Sequence, residues 1–362
     1  MNARGIEVRR QLKAAVGHGA CASREGVVCY IAIVSIIQEV LQVRCREIAY
    51  YSEGVRISGL WRTPDTPAQR MRAIIQGPGW LGLCDSKLYL RYHEALTAAG
   101  FGVLIIDYRG FGGSEGDRSR LSPASQLTDL VNGVTYLAQR DDVDSDAIGV
   151  FGSGGTGGGN AVLLADADDR IRAAVSQLPV ADGADWLHRM RSEFEWLDFV
   201  QKLCDDRRAR VVTGKGRLVH PREEIMVPTA ERRATTVKAD VDDRIPTAVS
   251  LAAADEILTY RPIDAARRLH TPLMVIAVED DATTPTDHAK AIYEATRGPR
   301  ALVVQRHTTH YASYDKYWQV VTPRIVGWFD KYLLNGDVVV TSENGSRPGC
   351  ASTEYLGGSS AD

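Results

Sequence analysis

Three segments of the sequence, the third of them a pair of short stretches, contain residue types that acyl-transfer chemistry uses. Residues 107–116 (DYRGFGGSEG) and 148–159 (IGVFGSGGTGGG) combine glycines with hydroxyl side chains, while 278–281 (VEDD) and 307–310 (HTTH) bring carboxylates and imidazoles. An acid beside an imidazole fixes the tautomer of the ring and stabilises its protonated form, which a general base requires. The three segments are candidates for one catalytic site if the fold brings them together.

The elements around these segments predict an α/β fold. Two strands that flank a Ser-Glu-Gly turn, 46–51 and 55–62, predict a hairpin. Strands that alternate with helices form a mostly parallel sheet with helices on both faces, and such a sheet binds ligands at its carboxyl edge. Apolar runs typical of buried parallel strands cover 73–76, 102–106, 147–151, 171–177, 273–278 and 301–306. Helical periodicity covers 87–99, 123–140, 286–296 and 311–334.

The same pattern divides the chain into regions. Residues 46–182 and 261–334 are predicted to form the α/β core, interrupted by a charged insertion without strand runs, 183–260, which we interpret as a helical cap over the carboxyl edge. The glycine- and serine-rich residues 335–362 are expected to be a flexible tail. Residues 1–45 form an N-terminal extension of uncertain order. Its apolar run of 11 residues is shorter than the roughly 20 that span a membrane.

The composition excludes several classes of protein. The chain has 43 basic and 46 acidic residues and a formal net charge of −3, which argues against a nucleic-acid-binding protein. Six cysteines without a CxxC pair are typical of a reduced, cytoplasmic protein. The histidines lack the H-E-x-x-H spacing of a zinc site, so no metal or cofactor is expected. The expected partner is a small-molecule substrate, and no membrane association is expected. The sequence leaves open whether the chain forms a homo-oligomer.

Together, these motifs resemble the α/β-hydrolase superfamily over roughly residues 46–334. The D-x-R-G-x-G-x-S turn, from Asp107 to Ser114, is a marker of that family, and so is the order of elbow, acid and histidine along the chain. The insertion and the hairpin are most similar to the cap-bearing branch with acyl esterases and dipeptidyl peptidases. The resemblance implies an enzyme that hydrolyses an ester, amide or related acyl bond of a small molecule.

The nucleophile elbow departs from the family pattern. Family sequences of the type I-G-x-x-G-x-S-x-x-G-G overlay residues 148–158 without gaps and place Gly154 at the position of the nucleophile. Ser153 lies one residue earlier and would require the turn to slip by one residue. Thr156 fits a G-x-T-x-G frame half a turn into the following helix, where a hydroxyl more often caps than attacks. Ser153, Thr156 or no side chain at all remain as alternatives for the nucleophile.

The resemblance also assigns an acid and a base. Asp281 matches the acid of the family, and His310 matches its histidine, after a strand and before the last helix. Without a side-chain nucleophile, His310 would activate water directly, or the dyad would move a proton in a lyase, epimerase or cyclase. A binding protein without catalysis is the remaining alternative, and the presence of both acid and histidine argues against it.

The oxyanion loop is also unusual. The sequence Gln-Gly-Pro-Gly-Trp at residues 76–80 takes the place of the H-G-x-G segment of the family. Pro78 stands at the usual donor position and has no N–H group. Gly79 or Trp80 would donate instead, and Gly155 would supply the second N–H.

The predicted cap supplies candidate substrate-binding residues. Trp186 and Met190 lie at helical spacing and would face the core or the pocket. Arg189 or Arg191, if it pointed inward, would bind a carboxylate of the ligand.

Overall fold

A nine-stranded sheet forms the centre of the computed structural model, which describes residues 44–235, 244–333 and 352–357. The strands are β1 (Arg44–Ser52), β2 (Val55–Thr63), β3 (Met71–Gly77), β4 (Gly102–Ile106), β5 (Val143–Ser153), β6 (Ile171–Gln177), β7 (Leu218–Val219), β8 (Val249–Ser250), β9 (Leu273–Val278), β10 (Arg300–Arg306) and β11 (Ser352–Gly357). Their order in the large sheet is β1-β2-β4-β3-β5-β6-β9-β10-β11. The hairpin of β1 and β2 is antiparallel and joins β4 in antiparallel fashion, and all later pairs are parallel.

Helices cover both faces of this sheet, as the alternating pattern predicts. Ile75 of β3 belongs to the hydrophobic cluster that contains residues of α2, α3 and α9, and its neighbour Ile74 belongs to the cluster on the other face, with residues of α1 and α11. The helices are α1 (Lys87–Ala98), α2 (Pro123–Ala138), α3 (Gly155–Ala167), α4 (Gly183–Arg189), α5 (Glu193–Thr213), α6 (Ala230–Ala234), α7 (Ala252–Leu258), α8 (Pro262–Ala266), α9 (Thr286–Ala295), α10 (His310–Asp315) and α11 (Trp318–Tyr332), with one π-helical turn at Pro221–Ile225.

The D-x-R-G turn connects the sheet to its surroundings through hydrogen bonds. The carboxylate of Asp107 accepts from the backbone N–H groups of Cys84 (2.7 Å) and Gly113 (2.9 Å). Arg109 binds the buried carboxylate of Asp129 through Nε and Nη2, at 2.9 and 2.7 Å. The motif therefore holds the loops after β3 and β4 in place.

The structure differs from the predicted elements at three places. The predicted helix 311–334 is two helices, because α10 closes with a bond from the Tyr317 N–H to the Ala312 carbonyl (3.1 Å) before α11 begins. The predicted cap, 183–260, contains four helices among its described residues and also the short antiparallel pair of β7 and β8. In the predicted tail, β11 pairs with β10 through parallel backbone hydrogen bonds, so the expectation of a tail without structure is not met there.

The N-terminal extension lies outside the described residues up to residue 43, and the chain enters the sheet at Arg44. No helix in the described part of the chain has the length and apolar character needed to cross a membrane.

Candidate active site

A small cavity lies at the carboxyl edge of the sheet, where the segments after β3, β5, β9 and β10 meet. Its volume is about 40 Å³, which is more than one ordered water molecule requires. Seven of the candidate site residues line it: Gly79, Trp80, Gly154, Gly155, Thr156, Trp186 and His310. The fold therefore brings together the oxyanion loop, the elbow and the histidine that the sequence places far apart.

His310 and Asp281 form the predicted pair. His310 is the first residue of α10, and its Nδ1 lies 2.8 Å from Oδ2 of Asp281. The other carboxylate oxygen, Oδ1, accepts from the backbone N–H groups of Thr283 (2.7 Å) and Thr284 (3.0 Å). This arrangement directs the Nδ1 proton at the acid and leaves Nε2 as the basic nitrogen of the ring.

The environment keeps Asp281 ionised. Burial alone would raise the pKa of its carboxyl, but the charge and hydrogen bond of His310, together with the two backbone N–H groups, hold that pKa below its usual value. The same ionised carboxylate stabilises the imidazolium that forms when Nε2 accepts a proton.

Backbone strain accompanies both halves of the dyad. Asp280, directly before the acid, has a φ of 57°, and His307, in the loop before His310, has a φ of 55°. Such left-handed conformations of non-glycine residues cost on the order of 1–3 kcal/mol each and persist only where the surrounding structure enforces them. The side chain of His307 itself is exposed and lies outside the cavity lining.

Gly154 occupies the turn from β5 into α3. It has a φ of 76° and is the N-cap of α3. A Cβ atom added here would lie 3.6 Å from Cα of Gly79 and 3.7 Å from the hydroxyl oxygen of Tyr314, which is ordinary van der Waals contact. The position therefore has room for a side chain that the sequence does not supply.

Ser153 is held away from the dyad by a buried network. Its Oγ accepts a hydrogen bond from Nε2 of Gln76 at 3.1 Å, and Oε1 of Gln76 in turn contacts the imidazole of His93. Burial, assisted by the charge of Arg62, lowers the pKa of His93 to about 3, so this ring is neutral and donates to Gln76. Among the described contacts, none joins Ser153 to His310, and Ser153 does not line the cavity.

Thr156 is the remaining hydroxyl at the elbow. It is the second residue of α3, is buried and lines the cavity. Its Oγ1 has no hydrogen-bond partner among the described residues, and no contact with His310 activates it.

Hydrogen bonding distinguishes the candidate oxyanion donors near the cavity. The N–H of Gly79 donates to the hydroxyl of Tyr89 at 3.1 Å and is therefore occupied. The N–H groups of Trp80 and Gly155 make no hydrogen bond within the described residues. Since Gly155 is the first residue of α3, its N–H belongs to the unpaired first turn of that helix.

Only one of the three predicted cap residues lines the cavity. Trp186 is buried, and its Nε1 donates to the carbonyl of Thr283 at 2.9 Å. Arg189 instead forms ion pairs with Asp185 (2.6 Å) and Asp287 (2.9 Å), and the partly buried Met190 packs against the core.

Two arginines that the sequence reasoning missed do line the cavity. These are Arg222, in the π-helical turn, and Arg232, in α6. Burial raises the pKa of the cavity residue Tyr311 to about 12, while the positive charges of Arg232 and Arg222 act to lower it. The segment around them has no periodic pattern that could have distinguished these arginines from solvated ones.

No group of three or more His, Cys, Asp or Glu side chains in residues 44–235 and 244–333 is arranged to hold a metal ion.

Known proteins share this architecture. The chain is 29% identical over 287 residues to an uncharacterized 31.7 kDa protein of the traX-finO intergenic region of Escherichia coli, covering 78% of this chain and 97% of the relative. It is 26% identical to the quorum-quenching protein AidA of Acinetobacter baumannii, covering 66% of this chain and 80% of that protein. The crystal structure of the α/β hydrolase GrgF from Penicillium superimposes with a TM-score of 0.67 at 19% identity, over 80% of this chain and 99% of GrgF, and shows the shared fold.

Residues 54–312 match the family described as X-Pro dipeptidyl-peptidase (S15 family). This stretch contains the elbow, both arginines of the cavity and the Asp281–His310 pair. The chain thus belongs to the S15 family of X-Pro dipeptidyl-peptidases and is a hydrolase of the α/β-hydrolase fold.

Proposed function

We propose that this protein hydrolyses an acyl bond of a small molecule, an ester, thioester or amide, by direct attack of water. The single observation that carries the proposal is the side-chain-free turn at Gly154, which lines the same cavity as His310. A covalent acyl-enzyme needs a side chain at that turn. A water molecule needs only the space and a base.

The proposed reaction runs in two proton-balanced steps. Water attacks the acyl carbon while Nε2 of His310 accepts one of its protons, and the resulting oxyanion is bound by the N–H groups of Trp80 and Gly155. The tetrahedral intermediate then collapses, the bond to the leaving group breaks, and His310 returns its proton to the leaving oxygen, sulfur or nitrogen. Each oxyanion donor contributes about 3 kcal/mol in enzymes of this chemistry.

The charge of the cavity wall supports an anionic substrate. Arg222 and Arg232, both from the predicted cap, line the cavity together with His310. A carboxylate on the substrate, remote from the scissile bond, would meet these donors. This replaces the assignment of that role to Arg189 or Arg191, since Arg191 donates to the backbone carbonyls of Leu187, Glu224 and Ile225.

The function is tested with 4-nitrophenyl butyrate and a fluorophosphonate probe. His310→Ala is expected to lower kcat/KM by about 10²–10⁴-fold, because the general base is lost. Ser153→Ala and Thr156→Val should retain activity within roughly threefold of the parent, since neither hydroxyl attacks. Intact mass of the parent after exposure to the probe should show no adduct. An adduct that disappears in Ser153→Ala would establish a serine nucleophile and refute direct attack by water.

A missing side chain at the elbow can be restored. Gly154→Ser is expected to acquire a fluorophosphonate adduct, because the new Oγ would share the cavity with His310. The same substitution should lower the free energy of unfolding by about 1–3 kcal/mol through its left-handed backbone. Gly214→Ser is the matched control, with a φ of 72° and open space around it, and it should show similar strain without labelling. A folded, unlabelled Gly154→Ser protein would contradict the placement of residue 154 beside the base.

The ionised state of Asp281 predicts a pH-dependent stability. Because its pKa is held below the usual value of about 4, its contribution is complete above that pH and is lost as the pH falls through the folded-state pKa. Asp281→Asn should cost about 2 kcal/mol in urea unfolding at pH 7, and the difference from the parent should shrink below pH 4. The control is Asp280→Asn at the exposed neighbour. A difference that stays constant with pH would show that the carboxylate charge contributes nothing.

The arginine wall is tested with two substrates of similar length, 4-nitrophenyl butyrate and its acidic counterpart, 4-nitrophenyl hydrogen succinate. Arg232→Gln should reduce the preference for the succinate, as the ratio of kcat/KM values, by about tenfold, because a charged hydrogen bond is lost. The adjacent Arg233 pairs with Glu223 on the exposed surface, so Arg233→Gln should leave the ratio unchanged. Equal ratios in all three proteins would reject an anionic substrate.

A further inference from the structure

Helix α5 exposes an apolar and charged stripe to solvent. On its opposite side, Phe199, Leu203 and Asp206 are buried against the rest of the protein. The residues of the outer side recur at spacings of three and four, so they form one continuous face of the helix. This α5 stripe consists of Phe194, Leu197, Asp198, Gln201, Asp205, Arg208 and Val212.

The exposed hydrophobic residues of α5 lie at its two ends. Phe194 is 89% exposed at one end and Val212 is 82% exposed at the other. Four of the six large hydrophobic residues that are exposed in the described part of the chain lie on α5: Phe194 and Leu197 near its start, and Val212 with the neighbouring Val211 near its end. Exposed apolar residues that are grouped in this way are more typical of an interaction site than isolated ones are.

The order of residues along the stripe is complementary to its own reverse. Positions 194 and 212, 198 and 208, and 201 and 205 are each equally distant from position 203. If a second α5 lay antiparallel across the first at that centre, Phe194 would meet a valine, Asp198 would meet an arginine, and Gln201 would meet an aspartate. Asp198 and Arg208 are therefore opposite in sign where the two helices would touch, and the central Gln201 would offer an amide donor to Asp205.

We propose that the occupant of the α5 stripe is a second copy of this chain, with the two helices antiparallel about a twofold axis at residue 203. Phe194 then packs on the partner subunit's Val212, and Asp198 pairs with the partner subunit's Arg208. The symmetry repeats both contacts at the other end, as in an isologous dimer.

Forming the ion pairs between the two copies would break only weak ion pairs within each helix. In the single chain, Asp198 pairs with Lys202 (2.6 Å) and Arg208 pairs with Asp205 (3.2 Å), in each case within the helix and exposed to solvent. Exposed pairs of this kind contribute little to stability. Covering Phe194 and Val212 removes apolar surface from water, which drives association.

Sedimentation velocity of the full chain at about 1–100 μM tests the proposal. The parent should sediment as a dimer, at twice the chain mass of 39.6 kDa. Phe194→Asp should be monomeric across this range, because a carboxylate would replace the anchor. Arg208→Asp should also be monomeric, because two acids would face each other at each pair. The double variant Asp198→Arg/Arg208→Asp should dimerise again, since it reverses both charges of every pair.

Circular dichroism and thermal unfolding serve as the folding control, and the exposed positions should leave the monomer fold intact. A monomeric parent at 100 μM would overturn the proposal. So would a dimer that ignores all three variants, because it would form through another surface. Flotation with phosphatidylcholine–phosphatidylglycerol vesicles resolves the first of these outcomes: a monomeric parent that floats, and whose Phe194→Asp variant does not, would identify a membrane-docking face instead.

Discussion

The left-handed turn at position 154 is the constraint on which the site depends. β5 passes into α3 through this single residue, whose N–H donates to the carbonyl of Gln177 at 3.0 Å. The helix lies so close to the sheet that a Cβ on Gly158 would come within 2.7 Å of the same carbonyl. Turn, helix and neighbouring strand therefore fix each other without any contribution from a nucleophile. The geometry of this turn therefore does not depend on a hydroxyl at position 154.

The loops that carry the dyad cost stability that a binding site would not require. They include the left-handed residues Asp280 and His307, whose backbone conformations are strained. A site that only held a ligand could use hydrogen-bond donors without a base. The retained cost is physically consistent with proton transfer at Nε2 of His310, and in serine proteases stripped of triad members roughly 10³–10⁴-fold acceleration over water persists from the oxyanion hole and binding.

The sequence predicts best what local pattern determines. The strands Gly102–Ile106, Ile171–Gln177 and Leu273–Val278 have the bounds predicted from their apolar runs, because strands buried on both faces read as continuous hydrophobic segments. Long-range contacts decided the rest of the site. The sequence predicts the N–H of Gly79 as an oxyanion donor. In the structure this group donates to the hydroxyl of Tyr89 instead. The orientation of the Ser153 side chain depends on partners that are distant in sequence. The same is true of which arginines in the charged insertion line the cavity.

The insertion 183–260 links the surface of the molecule to its catalytic cavity. Arg191, at the junction of α4 and α5, donates to the backbone carbonyls of Glu224 and Ile225 at 2.8 Å each. These carbonyls belong to the π-helical turn that also carries Arg222. Arg191 therefore ties the junction of α4 and α5 to the turn that carries one of the two arginines of the cavity wall. The charged insertion thus sets the position of that wall through backbone carbonyls, which no sequence pattern specifies.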